Sequence, residues 1–284
     1  MTDNSNNRGT LYVVATPIGN LEDISPRTRR TLAEVSLIAC EDTRHTRKLL
    51  SHLGLATPLT SYYREKEQYK AELLLAKLAA GQDIALVSDA GTPGLSDPGA
   101  VLVRQARAAG IRIVPVPGPS ALAVAVSVAG LEENAFFFGG FSPPRQAARR
   151  SLFKGLAALP WPLVFYESPH RIRACLEDCL AALGDRQALL CRELTKLHEE
   201  CIPGTLSALL ERVAGGIKGE MVLIIQPQEA GQESKPEDLR ELLAWYRRQP
   251  EMTLKEAVRR ISEDLALPRN RVYREALAVW HDEE

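Results

Sequence analysis

Short apolar, β-branched runs alternate with amphipathic stretches along most of the chain. Residues 11–15, 35–40, 84–87 and 111–116 read as strands, because Val- and Ile-rich runs of this length fit a buried sheet. Residues 25–34, 44–53, 69–80 and 99–109 carry helical periodicity. Ser25 and Pro26 form an N-cap and first-turn pair, and Gly81 and Gly110 stop two of these helices. This alternation predicts a parallel sheet with helices on its faces. An Ala/Val-rich helix at 120–129 leads into a second unit. Its strands fall near 135–139, 163–166, 187–192 and 220–225, and its helices near 145–159, 170–183 and 206–214. Residues 226–237 are polar and hold Gly, Ser and two Pro, as linkers do. Helical patterning resumes at 236–249, 253–265 and 269–281. The expected fold class is α/β: a disordered tail at 1–8, α/β domains at 9–119 and 120–227, and a linker with a helical module at 228–284.

Two predicted strands open into unusual loops. Thr16-Pro17-Ile18-Gly19-Asn20 follows the first. Ser-Asp-Ala-Gly-Thr-Pro-Gly-Leu-Ser-Asp-Pro-Gly follows another, at 88–99. In open α/β sheets, ligands bind in the crevice beyond the carboxyl ends of the strands. Glycine and proline there shape a backbone that a ligand can approach closely. Either loop alone could be a tight turn, but three glycines, two prolines and two aspartates in twelve residues exceed what a turn needs.

Charge and cysteine content narrow the classes. A formal net charge of −1 excludes a polycation, so any nucleic-acid contact must be local. The cysteines, Cys40, Cys175, Cys179, Cys191 and Cys201, are odd in number and lack the two-residue gap of zinc or redox motifs. They read as reduced, mostly buried thiols of a cytoplasmic protein. The polar, Asn-rich residues 1–8 lack the apolar core of a signal peptide, and the apolar stretch at 120–130 is too short to span a bilayer.

No Walker A or Gly-x-Gly-x-x-Gly sequence occurs. The ordered set is different: the Thr16 loop, Glu41-Asp42-Thr43-Arg44, the 88–99 loop, Pro117-Gly118-Pro119-Ser120, Tyr166-Glu167-Ser168-Pro169-His170-Arg171, Arg192-Glu193-Leu194-Thr195-Lys196 and Lys218-Gly219-Glu220-Met221-Val222. In this order and spacing it resembles the bacterial 16S ribosomal RNA (cytidine 2′-O)-methyltransferases of the tetrapyrrole-methylase-like superfamily. The resemblance implies two α/β domains with S-adenosylmethionine in the cleft between them, and a homodimer. It also implies cofactor contacts from Thr16, Pro17, Ile18, Gly19, Asp89, Gly91, Thr92, Pro93, Leu95, Ser120, Ala121 and Tyr166. Thr92 stands where many relatives have Asp, which supports the RNA branch.

A methyl sulfonium is its own electrophile, so this chemistry calls for no metal. A ribose hydroxyl is a weak nucleophile that a positioned base would help. Candidates are Glu41, Asp42, Asp89, Glu167, Glu193 and Lys196, each of which could equally be a structural salt bridge or cap. His45 lies in a basic helical stretch and His170 at a helix start, where structural roles compete. Arg44, Arg47 and Lys48 could meet RNA phosphates or form a solvated helix face. The stretch at 253–274 resembles a helix-turn-helix, with Arg269, Arg271 and Arg274 as candidate RNA contacts; a packing hairpin is the alternative.

The expected function is S-adenosylmethionine-dependent 2′-O-methylation of a cytidine in the decoding region of 16S rRNA, on free RNA or the small ribosomal subunit. A precorrin-type tetrapyrrole methyltransferase and a non-catalytic RNA-binding assembly factor are the alternatives.

Overall fold

The computed structural model describes residues 8–131, 135–228, 236–250, 252–265 and 267–281. Most of the expected tail and of the linker, residues 1–7 and 229–235, lies outside the described residues. The chain divides into two compact units, with the division after Pro227.

The first unit holds two five-stranded sheets. In chain order the first sheet and its helices are β1 (Thr10–Val14), α1 (Pro26–Glu34), β2 (Leu37–Cys40), α2 (Thr43–Leu53), β3 (Leu59–Ser61), α3 (Glu67–Ala79), β4 (Ile84–Val87), α4 (Ala100–Ala108) and β5 (Arg112–Val116). Every pairing is parallel, in the order β3-β2-β4-β1-β5. Central β4 is buried on both faces, as a sandwiched parallel strand must be. One face packs Leu11, Ala39 and Leu86 against Leu74 and Leu78 of α3 and Leu102 of α4. The other packs Val14, Ile38 and Val87 against Leu32 of α1 and Leu50 of α2. Parallel strands put all their carboxyl ends on one edge, so the loops after β1, β2, β4 and β5 converge there.

α5 (Ala121–Val128) leads to β6 (Phe137–Phe141), α6 (Gln146–Leu156), β7 (Leu163–Glu167), α7 (Ile172–Leu183), β8 (Gln187–Arg192), β9 (Glu200–Thr205), α8 (Leu206–Val213) and β10 (Met221–Ile225). This sheet is mixed, ordered β6-β7-β10-β8-β9, with only β6 and β7 parallel. Strand alternation separates its faces. Leu163, Phe165, Leu223 and Ile225 join the outer core with Phe153 of α6, Leu176 of α7 and Leu209 of α8. Val164, Tyr166, Val222 and Ile224 face inward, against Ala125 of α5 and Ile18 and Ala90 of the first sheet's loops. That inner layer brings the two sheets together.

β3 and β9 were not expected, and α6 stops three residues early because Pro160 disfavours helix in the residue before it. The register of β8 and β9 sets Cys191 opposite Cys201, their free thiols 3.1 Å apart. Among the described residues, no helix is long and apolar enough to cross a membrane.

The second unit comprises α9 (Pro236–Arg247), α10 (Leu254–Asp264) and α11 (Arg269–His281). Leu239, Leu243, Val258, Ile261, Val272 and Ala276 form its core.

Candidate active site

The loops after β1 and β4 are stitched together. The Thr16 N–H donates to Gly91 O at 2.9 Å, and the Gly91 N–H donates to Thr16 O at 3.0 Å. This is an isolated antiparallel bridge beyond the ends of two parallel strands. Gly91 reaches it at φ 75°, a conformation that glycine adopts without steric cost. The buried Thr16 hydroxyl also donates to Ser88 O at 3.2 Å. The Thr92 hydroxyl donates to Pro119 O at 3.3 Å, which ties in the loop after β5. Asp89 Oδ1 accepts the Asp42 N–H at 3.0 Å, which ties in the loop after β2.

The second sheet closes the cleft from the other side. The Tyr166 hydroxyl accepts the Leu122 N–H at 3.1 Å. Ser120, the N-cap of α5, makes no side-chain cap bond, so Tyr166 satisfies a first-turn donor of that helix. Phe138 and Phe141 hold the Tyr166 ring edge-on. The Asn20 N–H donates to Thr195 Oγ1 at 3.1 Å. A Cβ on Gly19 would fall 2.4 Å from the Lys196 side chain, so the first loop lies hard against the loop after β8.

Between these walls lies a cavity of about 340 Å³, within the size range of small-molecule sites. Ile18, Leu95, Leu194 and Val222 give it apolar surface; Asp89, Asp97, Lys196 and Glu220 give it charge. Among the described residues, the non-glycine residues with positive φ are Ser96, Glu193 and Thr195, all in loops that border it. Strained backbone of this kind clusters at functional sites. No group of three or more His, Cys, Asp or Glu among the described residues could hold a metal.

The electrostatics separate the candidate bases. Asp97 lines the cavity, and burial raises its pKa; nearby Asp89 and Glu220 add to this, while Ser88 and Arg64 oppose it. Burial works against the charge of Lys196 too, but Glu193 at 2.9 Å and Glu220 at 3.0 Å outweigh it, and its pKa lies above the ordinary lysine value. Lys196 is therefore a cation at neutral pH and a poor proton acceptor. Glu193 is held below the usual carboxylate range by Lys196, and it also accepts the Glu220 N–H at 3.1 Å.

Glu167 borders the cavity, but its side chain has no exposed surface. Alternation along β7 sends it outward with Phe165, and Arg171 sits 3.4 Å from its Oε1. Burial raises its pKa against the pull of Arg171 and Arg149. It braces the end of β7, because Arg171 also donates to Ser142 after β6.

Of the expected cofactor contacts, Ile18, Asp89, Gly91, Thr92, Leu95, Ser120, Ala121 and Tyr166 line the cavity. Thr16, Pro17, Gly19 and Pro93 do not; Thr16 and Gly19 shape it from behind, through the bridge to Gly91 and the contact with Lys196. Among the expected bases, Glu41, Asp42 and Glu193 are not in its wall. Asp42 caps α2 and pairs with Arg44 at 2.7 Å, which pulls its pKa to about 2. Sequence reasoning passed over Asp97 as a base, although it lies in the 88–99 loop. Its adjacency to Pro98 and Gly99, which turn the chain into α4, was the available signal.

Arg44, Arg47 and Lys48 are exposed and share a shallow surface groove with Thr43 and Ser51. In the helical unit, Arg259 and Arg260 pair with Glu256, and Arg269 pairs with Glu263 at 3.3 Å. Of the three arginines expected to face RNA there, Arg269 is thus paired locally.

Residues 10–210 match the family model of tetrapyrrole (corrin/porphyrin) methylases. The chain is 52% identical over 222 residues to ribosomal RNA small subunit methyltransferase I of Xylella fastidiosa, covering 77% of this chain and 81% of that one. It is 47% identical over 276 residues to the protein of that name from Escherichia coli O157:H7, covering 96% of each. A solved uroporphyrin-III C-methyl transferase from Thermus thermophilus, complexed with S-adenyl homocysteine, aligns at a TM-score of 0.56 and 19% identity, over 76% of this chain and 97% of that one. At that identity the likeness carries the fold.

Proposed function

The chain belongs to the tetrapyrrole methylase family, and from that premise we propose that it is an S-adenosylmethionine-dependent methyltransferase that methylates the ribose 2′-hydroxyl of a cytidine in the decoding region of 16S ribosomal RNA. The observation that carries this reading is the 47% identity to an rRNA small subunit methyltransferase over 96% of the chain. That span includes the helical unit, which the family model ending at residue 210 leaves out. This favours RNA over a tetrapyrrole as substrate.

The cleft suits the cofactor. Gly91, with no Cβ, and the main chain around Ile18, Thr92 and Ala121 offer a close backbone surface, with Leu95 and Val222 as apolar walls. Asp89 and Asp97 place negative charge where a cationic ligand would sit. When bound, S-adenosylmethionine supplies an electrophilic methyl group. Asp97 then accepts the ribose hydroxyl proton: burial raises its pKa, which makes it a stronger base than an ordinary aspartate. Positioned bases contribute about 10²–10⁴-fold. Lys196 is held between Glu193 and Glu220 in the cavity wall, where the two carboxylates balance its charge. Arg44, Arg47 and Lys48 extend the RNA contact over α2, and the helical unit, taken by itself, offers Arg269, Arg271 and Arg274 to RNA. A cytoplasmic homodimer is part of this reading.

Labelled S-adenosylmethionine offered with small ribosomal subunits lacking the modification, and separately with uroporphyrinogen, tests it. Label should enter 16S rRNA and not the tetrapyrrole. The reverse partition would overturn the reading.

A further inference from the structure

A second, open depression adjoins the cleft and shares Pro169 with it. Its polar side chains are His170, Arg192, Glu200, Arg212 and Lys218, set around a Gly215-Gly216 turn, Ile217 and Gly219. Arg192 ends β8 and Glu200 begins β9, directly opposite in register. Arg192 Nε donates to Glu200 Oε2 at 2.7 Å, and Arg212 Nη2, from α8, donates to Oε1 at 3.3 Å. Arg192 Nη1 also donates to Lys218 O at 3.3 Å. Arg192 first, and Arg212 next, hold the Glu200 carboxyl below its ordinary pKa, so it stays charged and orients both guanidinium groups.

The balance is then three cations, two of them oriented by the carboxylate, against that one carboxylate. Lys218 and His170 are exposed, and neither has an ion pair among the described residues. Gly216 turns at φ 86° with nothing within 4 Å of where a Cβ would stand, which leaves open backbone beside the cations; Gly219, at φ 97°, lies against the Glu193 side chain instead. A concave site with net positive charge, two pre-oriented guanidinium forks and open main chain matches a phosphate. The cavity next door carries Asp89, Asp97 and Glu220 against Lys196 alone, so an anion is directed to this side.

We propose that this depression is a phosphate subsite, which receives a backbone phosphate of the RNA strand next to the nucleotide in the cleft. It rests on the reading that RNA is the substrate and adds to it the group that fixes the strand's register. Two cavities that meet at one residue can engage neighbouring groups of one strand, so the subsite positions the ribose for transfer.

The test is Arg212→Gln with Lys218→Gln, assayed for methyl transfer to small-subunit RNA and for the salt dependence of RNA binding. KM for RNA should rise about tenfold, and the log–log salt slope should flatten by about 0.7 per lost contact, about 1.4 for the pair. S-adenosylmethionine affinity should not change. If the pair lowers the melting temperature, Lys218→Glu, which breaks no ion pair, carries the same test. Parental KM and salt slope in an active variant would overturn the subsite alone. No transfer to RNA by the parent protein would overturn the functional reading, and the subsite with it.

Discussion

Thr16 and Gly91 exchange two main-chain hydrogen bonds across the ends of β1 and β4, so the two most distinctive loops of the chain form one structure. Neither loop is positioned alone. A change that loosens one must move the other, and with it Ile18, Thr92 and Leu95 in the cavity wall.

Gly91→Ala and Gly94→Ala separate backbone strain from site geometry. Both glycines have positive φ, 75° and 82°, and each alanine should cost about 1–2 kcal/mol in that conformation. A Cβ at Gly94 meets nothing within 4 Å, and Gly94 is outside the cavity wall; a Cβ at Gly91 meets Ile18 at 3.4 Å. Melting temperatures should fall by similar amounts. Calorimetry should show weakened S-adenosylmethionine binding for Gly91→Ala alone.

Tyr166→Phe removes the hydroxyl that accepts from the Leu122 N–H and leaves the ring against Phe138 and Phe141. The loss should be about 1 kcal/mol of stability, measured by denaturant titration, with less than a tenfold change in cofactor affinity. Tyr166→Ala also removes the packing and should cost several times more.

Asp97 predicts a trade between stability and activity. Burial raises its pKa, so the folded chain holds that proton more tightly than the unfolded chain does. The stabilisation is complete below the ordinary aspartate pKa and is lost as pH rises through the raised value. Asp97→Asn should therefore melt higher than the parent at pH 7, with the gap closing toward pH 4. Turnover should drop by about a hundredfold or more if Asp97 is the base. Near-parental turnover would remove it from that role.

Asp178 sits with no side-chain exposure between Arg149, itself 4% exposed, and Arg150. Asp178→Ala leaves the Arg149 charge buried without its carboxylate and should cost about 3–5 kcal/mol. Urea denaturation measures this directly.

The central strands were legible because β4 and β10 are continuous apolar runs of strand length. β9 was not: its sequence, Glu-Cys-Ile-Pro-Gly-Thr, reads as a turn. Proline and glycine are tolerated there because β9 is an edge strand, a position that only the sheet order reveals. β3, only three residues long, directly after Pro58 and also at a sheet edge, was lost for the same reason. In the site, the glycine-rich loops announced themselves through backbone chemistry. Leu194, Glu220 and Val222 did not, because they reach the cavity only through the packing of the second sheet on the first. Glu167 shows the converse, since its motif suggested chemistry but the alternation of β7 turns its side chain away.

The most direct measurement is the position of the transferred methyl group. A methyl on the 2′-oxygen blocks the attack of that oxygen on the adjacent phosphate, so the linkage survives alkali. After incubation with labelled S-adenosylmethionine and unmodified small subunits, 16S rRNA is hydrolysed in alkali and the labelled products are sized and sequenced. The account predicts label in an alkali-stable dinucleotide that begins with cytidine. Label confined to mononucleotides would place the methyl on a base and contradict it.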